Sequence, residues 1–285
     1  MLRRDLHEEN RISWNKATAA HNSHKRDQAS FFKHSGSTLF PEELSLLGEV
    51  SGRKMVHLQC NSGQDTLSLS LLGADVLGVD ISDTAVEFAQ QLSVKSGIDS
   101  RFERADIYDW FMDASKRQIS FDIAFSSYGA IVWLSDLGHW AEGIASILRP
   151  GGRFVLVDFH PFLAIFDDDW NITYPYIKDD RPITWDPGIG DYIADSGPAL
   201  APSGYLSGIE GFSNPYPSHE FQWTVSDIFT ALIKVGLTIE KFKEYPYSNG
   251  AKLLPGMKLG EKNRYYPPEN LPRIPIMFGL SARLT

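Results

Sequence analysis

From residue 54 onward the chain alternates short β-prone runs with amphipathic stretches, and no other feature limits its fold so tightly. "KMVHLQ" reads as strand and "DTLSLSLLG" as a helix stopped by Gly73; "ADVLGVD" is strand again, and "SDTAVEFAQQLSVKSG" is a helix stopped by Gly97. "SRFERAD", "FDIAFSS" and "GRFVLVDFH" continue as strands, with "DLGHWAEGIASIL" as a helix before the last of them. Strand followed by helix, repeated, is the pattern of an open, mostly parallel sheet with helices on both faces. Right-handed crossovers leave few topologies for it, so the expected class is α/β.

Outside this stretch the chain divides into three parts. Residues 1–50 are polar and charged at first, and Pro41 opens a short helix in "PEELSLLGEV". Residues 161–222 are rich in Pro, Gly, Asp and aromatic residues, and are read as an ordered cap inserted into the core at 51–160. Within it Trp170, Tyr174, Tyr176, Trp185, Tyr192 and the nearby Trp223 are expected to form the cap's own small core. Residues 223–285 return to the core as a helix and closing strands.

Composition excludes several classes of partner. With 36 acidic against 27 basic residues, the net charge of −9 gives no field for a phosphate backbone, so no nucleic-acid partner is expected. A single cysteine, Cys60, allows no intrachain disulfide, and no apolar run approaches the roughly 18 residues of a membrane span. The N-terminus lacks the apolar core of a signal peptide, and a soluble, cytoplasmic protein is expected, monomer or homodimer. No metal site is expected, although "FDDDW" places Asp167 and Asp169 on one side of an extended chain.

Ligands of an open α/β sheet sit beyond the carboxyl ends of the strands, and the first strand-to-helix turn is where backbone approaches a cofactor. That turn is "VHLQCNSGQDT" at 56–66. Gly63 permits positive φ or close approach, and Asn61 tolerates left-handed backbone. Asp80 ends the second strand, where an acid can accept from both hydroxyls of a ribose. Asp106 ends the third, where a carboxylate can meet an exocyclic amine while Ile107 lies against a purine.

These motifs, in order, resemble those of class I S-adenosylmethionine (SAM)-dependent methyltransferases: the turn of 55–66, the acids of "LGVDIS" and "RADIYDW", the strand "FDIAFSSYGA", and "LRPGGRF" before the fifth strand. The resemblance covers roughly 50–160, with 224–285 fitting the closing helix and a hairpin-like final strand pair. It implies a Rossmann-like, doubly wound, seven-stranded sheet, and a 1–50 segment that folds over the cofactor as a helical lid. The family usually has an acid at the position of His57 and glycines at Gln59 and Asn61; here only Gly63 is kept. The turn is similar to a variant of some bacterial small-molecule methyltransferases with Gln and Cys at these places. The resemblance implies cofactor contacts from Gln59, Cys60, Asn61, Gly63, Asp65, Thr66, Asp80, Ile81, Asp106, Ile107, Ser126 and Tyr128.

It further implies methyl transfer from SAM to a small-molecule acceptor, leaving S-adenosylhomocysteine (SAH). Such transfer is an in-line displacement with an already activated donor, so alignment does much of the work and a general base is optional. Tyr128 and His160 are the candidate catalytic residues, His160 because an imidazole changes charge near neutral pH. Phe31, Trp133, His160, His219 and Trp223 are expected to face the acceptor. Two other readings compete. A nicotinamide oxidoreductase needs GxGxxG, for which Gln59, Asn61 and Thr66 are poor substitutes, and a non-catalytic cofactor-binding protein is the reading that the missing glycines favour.

Overall fold

The computed structural model describes residues 2–177 and 181–285, so 178–180 of the expected cap lie outside the described residues. Three helices come first: α1 (Arg4–Ser23), α2 (Gln28–Lys33) and α3 (Pro41–Leu47). The alternating core follows, with strands β1 (Lys54–Leu58), β2 (Asp75–Asp80), β3 (Arg101–Arg104), β4 (Phe121–Ser127) and β5 (Leu148–Phe159). Between them run α4 (Gln64–Leu71), α5 (Asp83–Ser96), α6 (Ile107–Lys116) and α7 (Leu137–Ile147). Helix α8 (Tyr192–Ser196) lies in the inserted segment, and α9 (Val225–Lys234), β6 (Leu237–Tyr245) and β7 (Met277–Leu284) close the chain.

The sheet order is β3-β2-β1-β4-β5-β7-β6. β1 to β5 pair in parallel, and β7 runs antiparallel between β5 and β6. This is the expected Rossmann-like, seven-stranded, mostly parallel sheet. Its order reverses at β1 and β4, where such sheets open a crevice at the carboxyl ends. One face buries Phe111, Trp140, Phe154 and Leu280 under α6, α7 and α9; the other buries Leu47, Leu69, Phe125 and Met277 under α3 and α4.

The structure departs from the sequence reading in three elements. α6 was not foreseen; it is capped by Asp106, whose carboxylate accepts from the Tyr108 N–H at 2.9 Å, and it buries Ile107, Tyr108, Trp110, Phe111 and Ala114. β6 and β7 are not joined as a hairpin, because residues 246–276 intervene and form a small sheet of Ser248–Asn249, Lys258–Leu259 and Arg264–Tyr266. The cap does not keep a core of its own: Ile165, Phe166 and Trp170 pack with Met257, Tyr265 and Ile276 from that intervening segment. Trp185 and Tyr174 are about half exposed, and Trp223 packs on the main core with its indole N–H donated to the Leu134 carbonyl at 2.7 Å. Asp167 holds a local turn, accepting from the backbone N–H groups of Asp169 and Asn171.

α6 and α7 cross at Gly143, where an added Cβ overlaps the Phe111 ring. Gly143→Ala is therefore expected to cost about 1–3 kcal/mol by overpacking. Denaturant unfolding monitored by tryptophan fluorescence measures this, and an unchanged midpoint would mean that the two helices part freely.

Candidate functional site

α1 lies across the carboxyl ends of β3, β2 and β1 and is stitched to each in turn. His7 Nδ1 lies 2.7 Å from Asp106 Oδ2 at the end of β3. Asn15 accepts from Ser82 Oγ at 2.7 Å and the Thr84 N–H at 3.2 Å beyond β2, and Asn22 donates to Ser62 Oγ at 2.9 Å beyond β1. Beneath α1 and the inserted segments is a cavity of about 1440 Å³. A single small ligand needs roughly 300–1,000 Å³, so there is room for a cofactor and an acceptor together.

The turn after β1 takes positive φ at Gln59 (56°), Asn61 (48°) and Gly63 (77°). The first two are places where the resemblance expects glycine, and a non-glycine residue there costs of order 1–3 kcal/mol. Side-chain bonds offset that cost. Gln59 Nε2 donates to the Ala130 carbonyl at 2.8 Å, tying this turn to the one after β4, and Asn61 Oδ1 accepts from the Ser62 N–H at 2.6 Å. His57, where the family has an acid, is buried and held below its ordinary range at about 3, so it is neutral; its ring bridges Thr66 Oγ1 (2.9 Å) and Ser127 Oγ (3.3 Å).

Three carboxylates organise the rim. Asp80 accepts from the backbone N–H groups of Asn61 (2.7 Å) and Ser82 (2.8 Å), and burial still raises it to about 6. Asp106 is also pushed up by burial, but His7 and the Tyr108 N–H outweigh that and hold it below the usual carboxylate range. Asp158, at the end of β5, accepts from four backbone N–H groups: Gly129, Ala130 (3.1 Å), Ile131 (3.1 Å) and Phe159 (2.7 Å). Burial raises it to about 6 as well. It fixes the turn that carries Tyr128, whose φ is 45° and whose hydroxyl accepts from Asn249 Nδ2 at 3.0 Å.

Most of the residues expected at the site do line the cavity: Gln59, Cys60, Asn61, Asp65, Asp80, Ile81, Asp106, Ile107 and Tyr128, with Phe31, Trp133, His160 and Trp223. Four do not. Gly63 is required by packing, since a Cβ there would lie 2.7 Å from both Ala89 and Phe102. Thr66 is turned to His57, and Ser126 is fully buried in β4. His219 is spent on pinning the cap to α1, through Glu9 at 2.7 Å and Thr184 at 3.0 Å. His160 lines the cavity with both ring nitrogens engaged: Nδ1 accepts from the Phe162 N–H at 3.0 Å, and Nε2 therefore donates to Glu244 at 3.0 Å. Burial lowers its pKa. Sequence reasoning missed His7, His21, Lys25, Asp158 and Asn249 in the cavity wall. Of these only Asp158 had a local signal, an acid ending a strand as Asp80 and Asp106 do.

Comparison with known proteins adds a family to this geometry. Residues 56–152 match the methyltransferase-domain family. Among curated relatives, 27-O-demethylrifamycin SV methyltransferase of Amycolatopsis mediterranei is 26% identical over 142 residues, 49% of this chain and 50% of that protein. A ubiquinone biosynthesis O-methyltransferase of Paraburkholderia phymatum is 27% identical over 103 residues, 36% of this chain and 43% of that protein. The chain thus spans about half the length of the curated relatives it matches. A SAM-dependent methyltransferase from Mesorhizobium loti shares the fold, with a TM-score of 0.52 at 21% identity over 85% of this chain and 96% of that one. No helix among the described residues is long and apolar enough to cross a membrane.

Asp158→Asn turns amide hydrogens toward the donors that the carboxylate satisfies. It is expected to lower stability by roughly 1.5–3 kcal/mol, the worth of hydrogen bonds to a charged group, read as a shift in denaturation midpoint. A variant as stable as wild type would show that the turn at 128–131 holds without it.

Proposed function

We propose that the protein is a SAM-dependent methyltransferase acting on a small molecule. The observation that carries the reading is the pair of rim carboxylates, Asp80 and Asp106, on adjacent strands of a roomy crevice, within the segment that matches the methyltransferase-domain family. The residues present fit the cofactor. A carboxylate has about four acceptor sites, and Asp80 uses two on backbone N–H groups, leaving capacity for ribose hydroxyls. Gln59 Oε1 and Asn249 Oδ1 are buried without a partner and can receive donors.

In this reading Asp106 and Ile107 hold the adenine, Asp80 and Ile81 the ribose, and Gln59, Cys60, Asn61, Asp65 and Tyr128 the methionine part. Gly63, Thr66 and Ser126 support them through packing, and α1 serves as the lid. Bound SAM supplies a methyl group already activated by its sulfonium. The chain's own task is to align the acceptor and exclude water, for which Phe31, Trp133 and Trp223 provide apolar walls. An acceptor oxygen is favoured by the names of the two relatives, both O-methyltransferases. Tyr128, kept neutral by burial, takes part in proton transfer from a hydroxyl only by passing its own proton onward, and His160 only by giving up its bond to Phe162.

Calorimetric titration with SAH beside a matched titration with NADH tests the assignment, and binding of SAH alone is the expected result. Asp80→Ala should weaken SAH binding by about 1.5–3 kcal/mol, roughly ten- to a hundredfold. Binding of NADH, or an Asp80→Ala variant with unchanged SAH affinity, would overturn the cofactor or the ribose assignment respectively.

A further inference from the structure

Behind Tyr128 lies a group of acids that the proposed reaction does not use. Glu43, on α3, is fully buried; its Oε2 accepts from the Phe40 N–H and its Oε1 has no partner. The Tyr128 hydroxyl and the Asp65 carboxylate both face it. Asp65, in the first turn of α4, accepts from Thr38 Oγ1 at 2.5 Å, stands beside Ser127, and feels the Lys25 ammonium. Glu42, next along α3, is held by the Arg264 guanidinium, the Tyr247 hydroxyl (2.8 Å) and Asn249 Nδ2 (3.0 Å). Three carboxylates therefore share two cations, Arg264 and Lys25. Asn249, which lines the cavity, keeps a buried oxygen without a partner.

We propose that the Glu43–Asp65 pair is a charge-sensing subsite that holds the sulfonium cofactor in preference to its neutral thioether product. This rests on the cofactor reading above. With adenine at the end of β3 and ribose at the end of β2, the sheet order directs the rest of the cofactor toward β1 and β4, where Asp65 and Tyr128 line the cavity. The cluster with all groups ionised carries one negative charge in excess, and SAM carries one more positive charge than SAH. After methyl transfer that charge is gone, so the subsite favours release of the product.

The proton balance follows from the surroundings. Burial raises both acids, and the Asp65 charge raises Glu43 further, so a second negative charge on the pair is disfavoured in the absence of a further cation. The other titratable neighbours are Tyr128, Cys60 and Tyr192, all pushed up by burial and neutral, His57, pushed down and neutral, and Lys25, which burial lowers to about 8 against the pull of the Asp65 charge. A cation within a few ångströms favours the ionised carboxylate, and linkage makes the effect reciprocal. Arrival of SAM therefore expels a proton that SAH leaves in place, and affinity for SAM rises with pH through the pKa of the pair.

Titration calorimetry of the intact protein with SAM and with SAH, in buffers of differing ionisation enthalpy, reads this without any acceptor. SAM is expected to release more protons than SAH. The SAM-to-SAH affinity ratio is expected to rise with pH, by about tenfold in full for one unit of pKa shift, in titrations kept below about pH 8 so that Lys25 holds its charge. Glu43→Gln should flatten that rise while leaving SAH affinity within about twofold; should it not fold, Asp65→Asn should flatten the rise as well, whatever it does to SAH affinity, since Asp65 itself lines the cavity. Equal proton release with a pH-independent ratio would overturn the proposal, even though both ligands bind. Binding of neither would remove the cofactor reading and this proposal with it.

Discussion

The crevice depends on carboxylates buried where parallel strands end. Each strand of such a sheet hands over to a turn whose N–H groups have left the ladder, and buried N–H groups must find acceptors. Asp80, Asp106 and Asp158 supply those acceptors at the ends of β2, β3 and β5. Burial works against the charge, as the raised values of Asp80 and Asp158 show, and converging backbone N–H groups work for it. The same oxygens therefore shape the turns and face the ligand, so a loss of binding after mutating one of them carries meaning only beside a measurement of stability.

α1 closes the crevice by a different physics. Its buried face, Leu6, His7, Asn10, Ser13, Ala17 and His21, recurs at helical spacing but is mostly polar or small. It is held by hydrogen bonds to Asp106, Ser82, Ser62 and the cap, not by a broad apolar seam. Elements with little buried apolar area occupy the low end of a fold's local stability. A ligand of the size the cavity admits has to pass this helix or the inserted segments, and displacing α1 exposes few large apolar side chains.

That polar face also explains what could be read in advance. The parallel core was legible because burial on both faces writes itself as apolar runs broken by turns, and Asp80 and Asp106 were legible from their place after such runs. α1 was not legible from its own pattern and was expected only through the resemblance, as part of a helical lid, because hydrophobic periodicity is the signal for a helix and its buried positions are mostly polar or small. Gln59 and Asn61 looked like losses from a glycine turn, yet both take positive φ, since bonds to Ala130 and Ser62 do what glycine does elsewhere. Gly63 was rightly singled out, and both its positive φ and its packing against Phe102 and Ala89 demand glycine. Lys25 and Asn249 come from segments remote from the sheet motifs, and only tertiary packing brings them to the cavity, as it brings Glu43 up behind Tyr128.

The division between the matched segment and the rest of the chain has a consequence for specificity. Residues 56–152 supply the turns around the proposed cofactor, whereas much of the proposed acceptor side comes from outside that segment: Phe31, His160, Trp223 and Asn249. Two insertions, 161–222 and 246–276, share one core through Trp170, Ile165, Met257 and Tyr265, with the Trp170 indole N–H donated to the Pro255 carbonyl at 2.7 Å. Neither insertion can be reshaped alone without exposing the other's apolar side. The stretch of cavity wall that these two segments form is thus a joint product, and in the proposed reading a change of acceptor there requires matched changes in both while the rim carboxylates stay as they are.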